Sequence, residues 1–111
     1  MSESTYVLIE SRDPFDSADI RFVPDTAAAL RARGRAVTVY LVQNGVLGTR
    51  AGARGSLVPR LTEAGVTVLA DDFSLRERGI DAGEMTGGVR EASIETLVDL
   101  MMQPGAKTIW H

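Results

Sequence analysis

No cysteine occurs among the 111 residues, and that absence removes more chemistry than any residue present adds. Disulfides, thiolate metal sites, a Cys nucleophile and sulfur transfer through a thiol are all excluded. Histidine is almost absent too. His111 is the only one, so hydrolytic catalysis is weakly motivated, and its place as the last residue predicts a solvated side chain. No apolar run approaches the length of a membrane span, and Met1-Ser2-Glu3-Ser4-Thr5 carries no basic segment ahead of its apolar run. A cytoplasmic protein without membrane association is therefore expected. The glycine-rich stretch holding Gly45, Gly48, Gly52 and Gly55 fits neither G-x-G-x-x-G nor G-x-x-x-x-G-K-S/T, so the nucleotide fingerprints are missing and no cofactor is expected.

The residues that are present describe an ordinary globular chain, with 44% hydrophobic and 24% charged residues. Its length predicts one domain over 1–111, surface-rich enough that association would help it bury apolar area. Net charge is -3 but unevenly spread: Thr26 to Thr62 holds six arginines and no acid, whereas nine acids face four bases from Glu63 onward. Eleven of the twelve bases are arginine, a compositional bias rather than a patch. Basic residues are not interleaved with aromatics, and nucleic-acid binding is not expected.

Strands and helices alternate along the chain. Tyr6–Glu10 reads as a first strand, ending in the turn Ser11–Pro14. Asp16 or Ser17 is placed to cap a helix whose Ile20, Val23, Ala27 and Leu30 share one stripe; Pro24 interrupts that stripe and predicts a kink. Gly34 suits the left-handed position beyond its end. Ala36–Val42 reads as a strand buried on both faces, followed by the turn Gln43-Asn44-Gly45, and the glycine-rich stretch after it reads as a surface loop. Ser56 is expected to cap a short helix that tolerates Pro59 and closes at Gly65. Val66–Ala70 is a third strand, Val89–Ala92 a short fourth, and Ala106–Trp110 a last one. Before it, Ser93 caps a helix with Ile94, Leu97, Val98 and Met101 on one face. This rhythm predicts an α/β fold with a parallel sheet covered on both faces, whose ligands sit beyond the carboxyl ends of its strands. Three turns meet that edge: Arg12–Phe15, Gln43–Gly45 and Asp71-Asp72.

Pro14-Phe15 after the first strand, Asn44-Gly45-Val46 after the second, Gly65-Val66 into the third, and above all Arg78-Gly79-Ile80 resemble the DsrE/DsrF-like proteins, intracellular sulfur-relay subunits. The resemblance runs over nearly the whole chain. It implies a three-layer α/β/α fold with a five-stranded parallel sheet, and trimers or hexamers of one or several kinds of subunit. Active members carry a persulfide on a cysteine seven residues before that arginine, which here is Asp71; some carry a second four residues before it, here Ser74. Neither side chain can do that chemistry, because it needs a polarizable thiolate. The resemblance therefore implies a cysteine-less member with no catalytic residue at the family position.

Two readings of the candidate residues stand. In one, Asp71 or Asp72 caps the short helix leading to Arg78 or pairs with Arg76 or Arg78, and Ser74 with Glu77 fits a capping box. In the other, Asp13, Asn44, Asp71, Asp72, Ser74 and Arg78 line a pocket at the mouth of the sheet. No metal is expected, although Asp71 with Asp72, joined by Asp13, is the set that could hold a hard cation such as Mg²⁺ or supply a general base. Met102 and Trp110 are candidates for a subunit interface. The expected function is association, as a homo-oligomer or as a non-catalytic subunit of a sulfur-relay-like assembly. A small-molecule or metal-binding protein using the acidic pocket is the alternative.

Overall fold

The computed structural model describes residues 5–53 and 56–111. Arg54 and Gly55, within the glycine-rich stretch, lie outside it, as do residues 1–4. Five strands form one sheet: β1 (Thr5–Glu10), β2 (Ala36–Leu41), β3 (Thr67–Asp71), β4 (Val89–Ala92) and β5 (Ala106–Trp110). All are parallel, in the order β4-β3-β2-β1-β5. The helices are α1 (Phe22–Ala32), α2 (Val58–Glu63), α3 (Asp72–Glu77) and α4 (Ile94–Met101).

The strand order explains the layering. From β1 to β4 the chain steps one way across the sheet, then returns past β1 to lay down β5. Right-handed crossovers put helices of opposite steps on opposite faces. Accordingly Val23 and Ala27 of α1, Val58 and Leu61 of α2, and Leu75 of α3 pack with Leu8, Val39 and Val68 on one face. On the other, Leu97 and Leu100 of α4 pack with Val7, Ile9, Tyr40 and Leu69. Each buried Val, Leu or Ile contributes roughly 1.5–3 kcal/mol, so the three-helix face carries most of the core.

Several local expectations are corrected. Neither Asp16 nor Ser17 caps α1, which begins later, at Phe22 after Arg21. Pro24 is thereby its third residue, among the first-turn N–H positions that have no intrahelical partner, and nothing forces a kink. Gly34 has φ +78°, the left-handed stop expected of it. The stretch after β2 is largely ordered rather than a surface loop: Gln43–Thr49 is a 3-10 helix with Gly45, Val46, Gly48 and Thr49 buried. Glycine is required at 45, where a Cβ would run into the Glu10 carbonyl of the neighbouring strand. The cap of α2 is Leu57, although the Ser56 hydroxyl still accepts from the Val58 N–H. Ser93 caps α4 as expected, accepting from the Thr96 N–H. Of the predicted stripe on that helix only Leu97 is buried; Ile94, Val98 and Met101 face outward.

Candidate functional site

At the carboxyl end of β3 the chain turns directly into α3 through Asp71, which is extended (φ -63°, ψ 123°) and is the helix cap. The residue is 4% exposed and both carboxylate oxygens are engaged. One accepts the Tyr40 hydroxyl at 2.6 Å; the other accepts the Ser74 N–H at 2.9 Å and the Ser74 hydroxyl at 2.7 Å. Burial alone would raise the Asp71 pKa, but these donors outweigh it and hold the group below its ordinary value. The same pairing, together with burial, pushes the Tyr40 hydroxyl well above its ordinary range. The Ser74 oxygen in turn accepts the N–H of Gln43 at 2.8 Å, tying the start of the 3-10 helix to α3. Ser74 therefore sits inside the helix rather than at its cap, and the Ser74–Glu77 capping box does not form.

Arg78, the residue just past α3, reaches back over this knot. Its guanidinium donates to Asn44 Oδ1 at 3.0 and 3.2 Å and to the Ser74 carbonyl at 3.2 Å. Gln43 is held at φ +54°, the one described non-glycine residue in the left-handed region. Such backbone costs about 1–3 kcal/mol and persists where its surroundings impose it; here the Ser74 and Arg78 bonds on either side do so. Val42, Gln43, Asn44, Asp71, Ser74 and Arg78 line a pocket of about 360 Å³.

Four of the six pocket candidates thus come together: Asn44, Asp71, Ser74 and Arg78. Asp72 and Asp13 do not line this pocket. Asp72 lies 3.9 Å from Arg76, one helical turn on, and Asp13 accepts the Phe15 N–H at 2.8 Å within its own turn. Among the described residues no group of three or more histidine or acidic side chains is arranged to hold a metal ion. Chemically, the Asp71 carboxylate is saturated by its hydrogen bonds, and the other carboxylate lining the pocket is the exposed Glu77.

The 3-10 helix divides the carboxyl edge of the sheet in two. On its far side Pro14, Ile20, Val23, Leu41, Leu57 and Leu61 enclose a small apolar cleft of about 40 Å³, which Glu10 and Arg12 also line. Beside it stands the residue that sequence reasoning misplaced. His111 is not a solvated terminus: its side chain is 8% exposed, at the carboxyl ends of β1 and β5 and against Phe22 of α1. Nδ1 lies 2.8 and 2.9 Å from the Glu10 carboxylate oxygens, and Nε2 lies 2.8 Å from Asp19 Oδ2. The ring stacks on Phe22 at 4.9 Å. Sequence spacing offers no signal for this cluster, because His111 is about a hundred residues from Glu10 and Asp19 and meets them only through the pairing of β1 with β5.

The candidate interface residues are both exposed, Met102 at 78% and Trp110 at 67%. Trp110 pairs in register with Ile9, which packs under α4, so the indole lies on the α4 side of the sheet. No helix among the described residues is long and apolar enough to cross a membrane.

No protein-family model matches the chain, and no curated protein matches it. Solved structures do. The ychN protein from E. coli is similar with a TM-score of 0.86 at 17% identity, over 97% of this chain and 99% of that one. MTH1491 from Methanobacterium thermoautotrophicum, a protein of unknown function, has a TM-score of 0.79 at 22% identity, over 99% and 100%. BT1422 from Bacteroides thetaiotaomicron, a conserved protein of unknown function, has a TM-score of 0.73 at 15% identity, over 96% and 94%. At these identities the likeness shows the fold, a five-stranded parallel sheet flanked by helices.

Proposed function

We propose that the chain is a cysteine-less DsrE-like subunit that works by association, as a homo-oligomer of the trimer or hexamer kind or beside a cysteine-bearing subunit in a sulfur-relay-like assembly. The observation that carries this reading is the thin layer on one face of the sheet. Parallel sheets are normally covered on both faces, yet here the eight-residue α4 is the helix packed on that face. Beside it an open recess of about 350 Å³ is lined by Thr38, Thr67, Leu69, Arg90 and Ala92 of the sheet. On the same side Ile94, Val98 and Met101 turn an apolar stripe outward, continued by the exposed Met102 after the helix. The exposed Trp110 stands on this side at the opposite, carboxyl end of β5. Exposed apolar area of this extent is the mark of an interaction surface, and a second subunit is the occupant that completes the layer. The saturated state of Asp71 supports the non-catalytic half of the reading: the family's sulfur position is used as a helix cap.

Light scattering coupled to size exclusion tests it. The expected mass at micromolar concentration is a multiple of 11.9 kDa. The double variant Val98→Asp, Met102→Asp is expected to elute as a monomer with an unchanged circular dichroism spectrum, since both side chains are exposed in the isolated fold. A wild-type monomer would overturn the homo-oligomer. The acidic-pocket alternative draws no comparable support, because its carboxylates are engaged or apart.

A further inference from the structure

In open parallel sheets the crevice available to a ligand lies where consecutive crossovers leave in opposite directions. With the order β4-β3-β2-β1-β5 the crossovers from β1, β2 and β3 leave on one face and that from β4 on the other, so this point falls between β3 and β4, beside Asp71. The imidazole of His111 lies elsewhere on the same edge, at the carboxyl ends of β1 and β5 across the 3-10 helix. We propose that His111 is a proton-operated latch that holds the segment 12–21 against the sheet, and that loss of its ring proton frees this segment and opens the apolar cleft it walls.

The geometry makes the proton necessary. A neutral imidazole has one N–H, whereas both ring nitrogens of His111 lie at 2.8–2.9 Å from carboxylate oxygens. Only the imidazolium donates to both. When it is neutral, one carboxylate must face a ring lone pair, and the contact that yields is Asp19, whose side chain is 52% exposed while that of Glu10 is 12% exposed. Asp19 matters because of where it sits. Residues 12–21 have no regular structure, and their other hydrogen bonds are internal or reach only neighbours in sequence: Arg12 and Ser17 to Asp19, the Phe15 N–H to Asp13, the Asp16 and Ser17 N–H groups to the Asp13 carbonyl, the Arg12 N–H to Glu10, the Phe22 N–H to the Asp19 carbonyl and the Asp25 N–H to the Arg21 carbonyl. Among the described residues, the Asp19–His111 bond is the polar tie between Asp13–Ile20 and a sequence-distant element. Arg12, Pro14 and Ile20 from this segment line the cleft, so releasing the tie moves a wall.

The charged groups around the ring are Glu10 from β1 and Asp19 and Arg12 from the segment, while α1 contributes the uncharged Phe22. Burial on its own would lower the His111 pKa and Arg12 opposes protonation, but the bonds to Asp19 and Glu10 win and raise it. Asp19, bonded to His111 and Ser17, is held far below the usual carboxylate range. The latch is thus fully engaged below the ordinary histidine value near 6.5 and is lost as pH rises through the raised value in the folded protein.

Because His111 is the sole histidine, its ring resonances report the latch without assignment ambiguity. An NMR titration of the wild-type protein is expected to give a midpoint above 6.5. Amide exchange, corrected for its intrinsic pH dependence, is expected to accelerate about tenfold in residues 12–21 across that midpoint, the loss of one charge-assisted hydrogen bond, while α4 amides stay unchanged. Asp19→Asn is expected to lower the midpoint and His111→Gln to leave 12–21 fast at every pH. A wild-type midpoint at or below 6.5, or protection in 12–21 that stays flat through it, overturns the proposal whether or not the variants fold.

Discussion

Replacing Asp71 with alanine tests whether the β3 edge is a structural knot. Three hydrogen bonds disappear together. Loss of the helix cap costs about 1 kcal/mol, and each hydrogen bond to a buried charged group is worth about 1.5–3 kcal/mol. The sum is reduced because the variant no longer buries a carboxylate, and increased because the Tyr40 hydroxyl, fully buried, is left with the Ala92 carbonyl at 3.5 Å. A net loss of about 3 kcal/mol results, within the range for removing one partner of a buried charged network. At this chain length that lowers Tm by roughly 10–20 °C. Asp71→Asn keeps the shape and one good acceptor and is expected to lose about 1–2 kcal/mol. Urea denaturation followed by circular dichroism, at matched protein concentration because association adds to stability, measures both. The pH dependence adds a sign. The folded-state pKa of Asp71 is depressed, so its contribution is present above about pH 4 and is lost as pH falls through the lower folded value. The gap between wild type and Asp71→Asn is therefore expected to narrow in acid. An Asp71→Ala protein as stable as wild type would refute the cap, and one more stable would mark the aspartate as kept for function at a cost in stability.

Asp71→Cys restores the residue type that the family resemblance places there, and its thiol is expected to react with a disulfide reagent far more slowly than an exposed cysteine because the position is buried; rapid labelling would show that the β3 edge opens in solution. Gly45→Ala is expected to destabilise by about 2–3 kcal/mol in thermal melts, since the added Cβ meets backbone that cannot rotate away. Gln43→Val, a β-branched residue at positive φ, is expected to lose about 1–2 kcal/mol by denaturation while Gln43→Gly stays near wild type.

Much of this fold is legible from local pattern. Runs such as Val37–Leu41 and Val68–Ala70 are apolar without alternation because parallel strands are buried on both faces, and the glycines after α1 and α2 mark where each helix stops. The last helix and its Ser93 cap are read correctly for the same reason: a cap and its helix are contiguous in sequence. What misled the reading was also local. Pro24 signals a kink only if the helix starts before it, and the glycines near 48 signal a loop only if their neighbours do not pack, as Val46 and Thr49 do.

The sequence by itself determined the element types and the exclusion of thiol chemistry, because those depend on composition and on contacts a few residues apart. The tertiary structure decided what the residues do. Strand order brings Tyr40 to Asp71 and saturates the carboxylate. It leaves one face of the sheet thinly covered, and it carries His111 across the sheet to lie between Glu10 and Asp19. Each of these follows from pairing strands that are distant along the chain, and no periodicity or spacing in the sequence encodes which strands become neighbours.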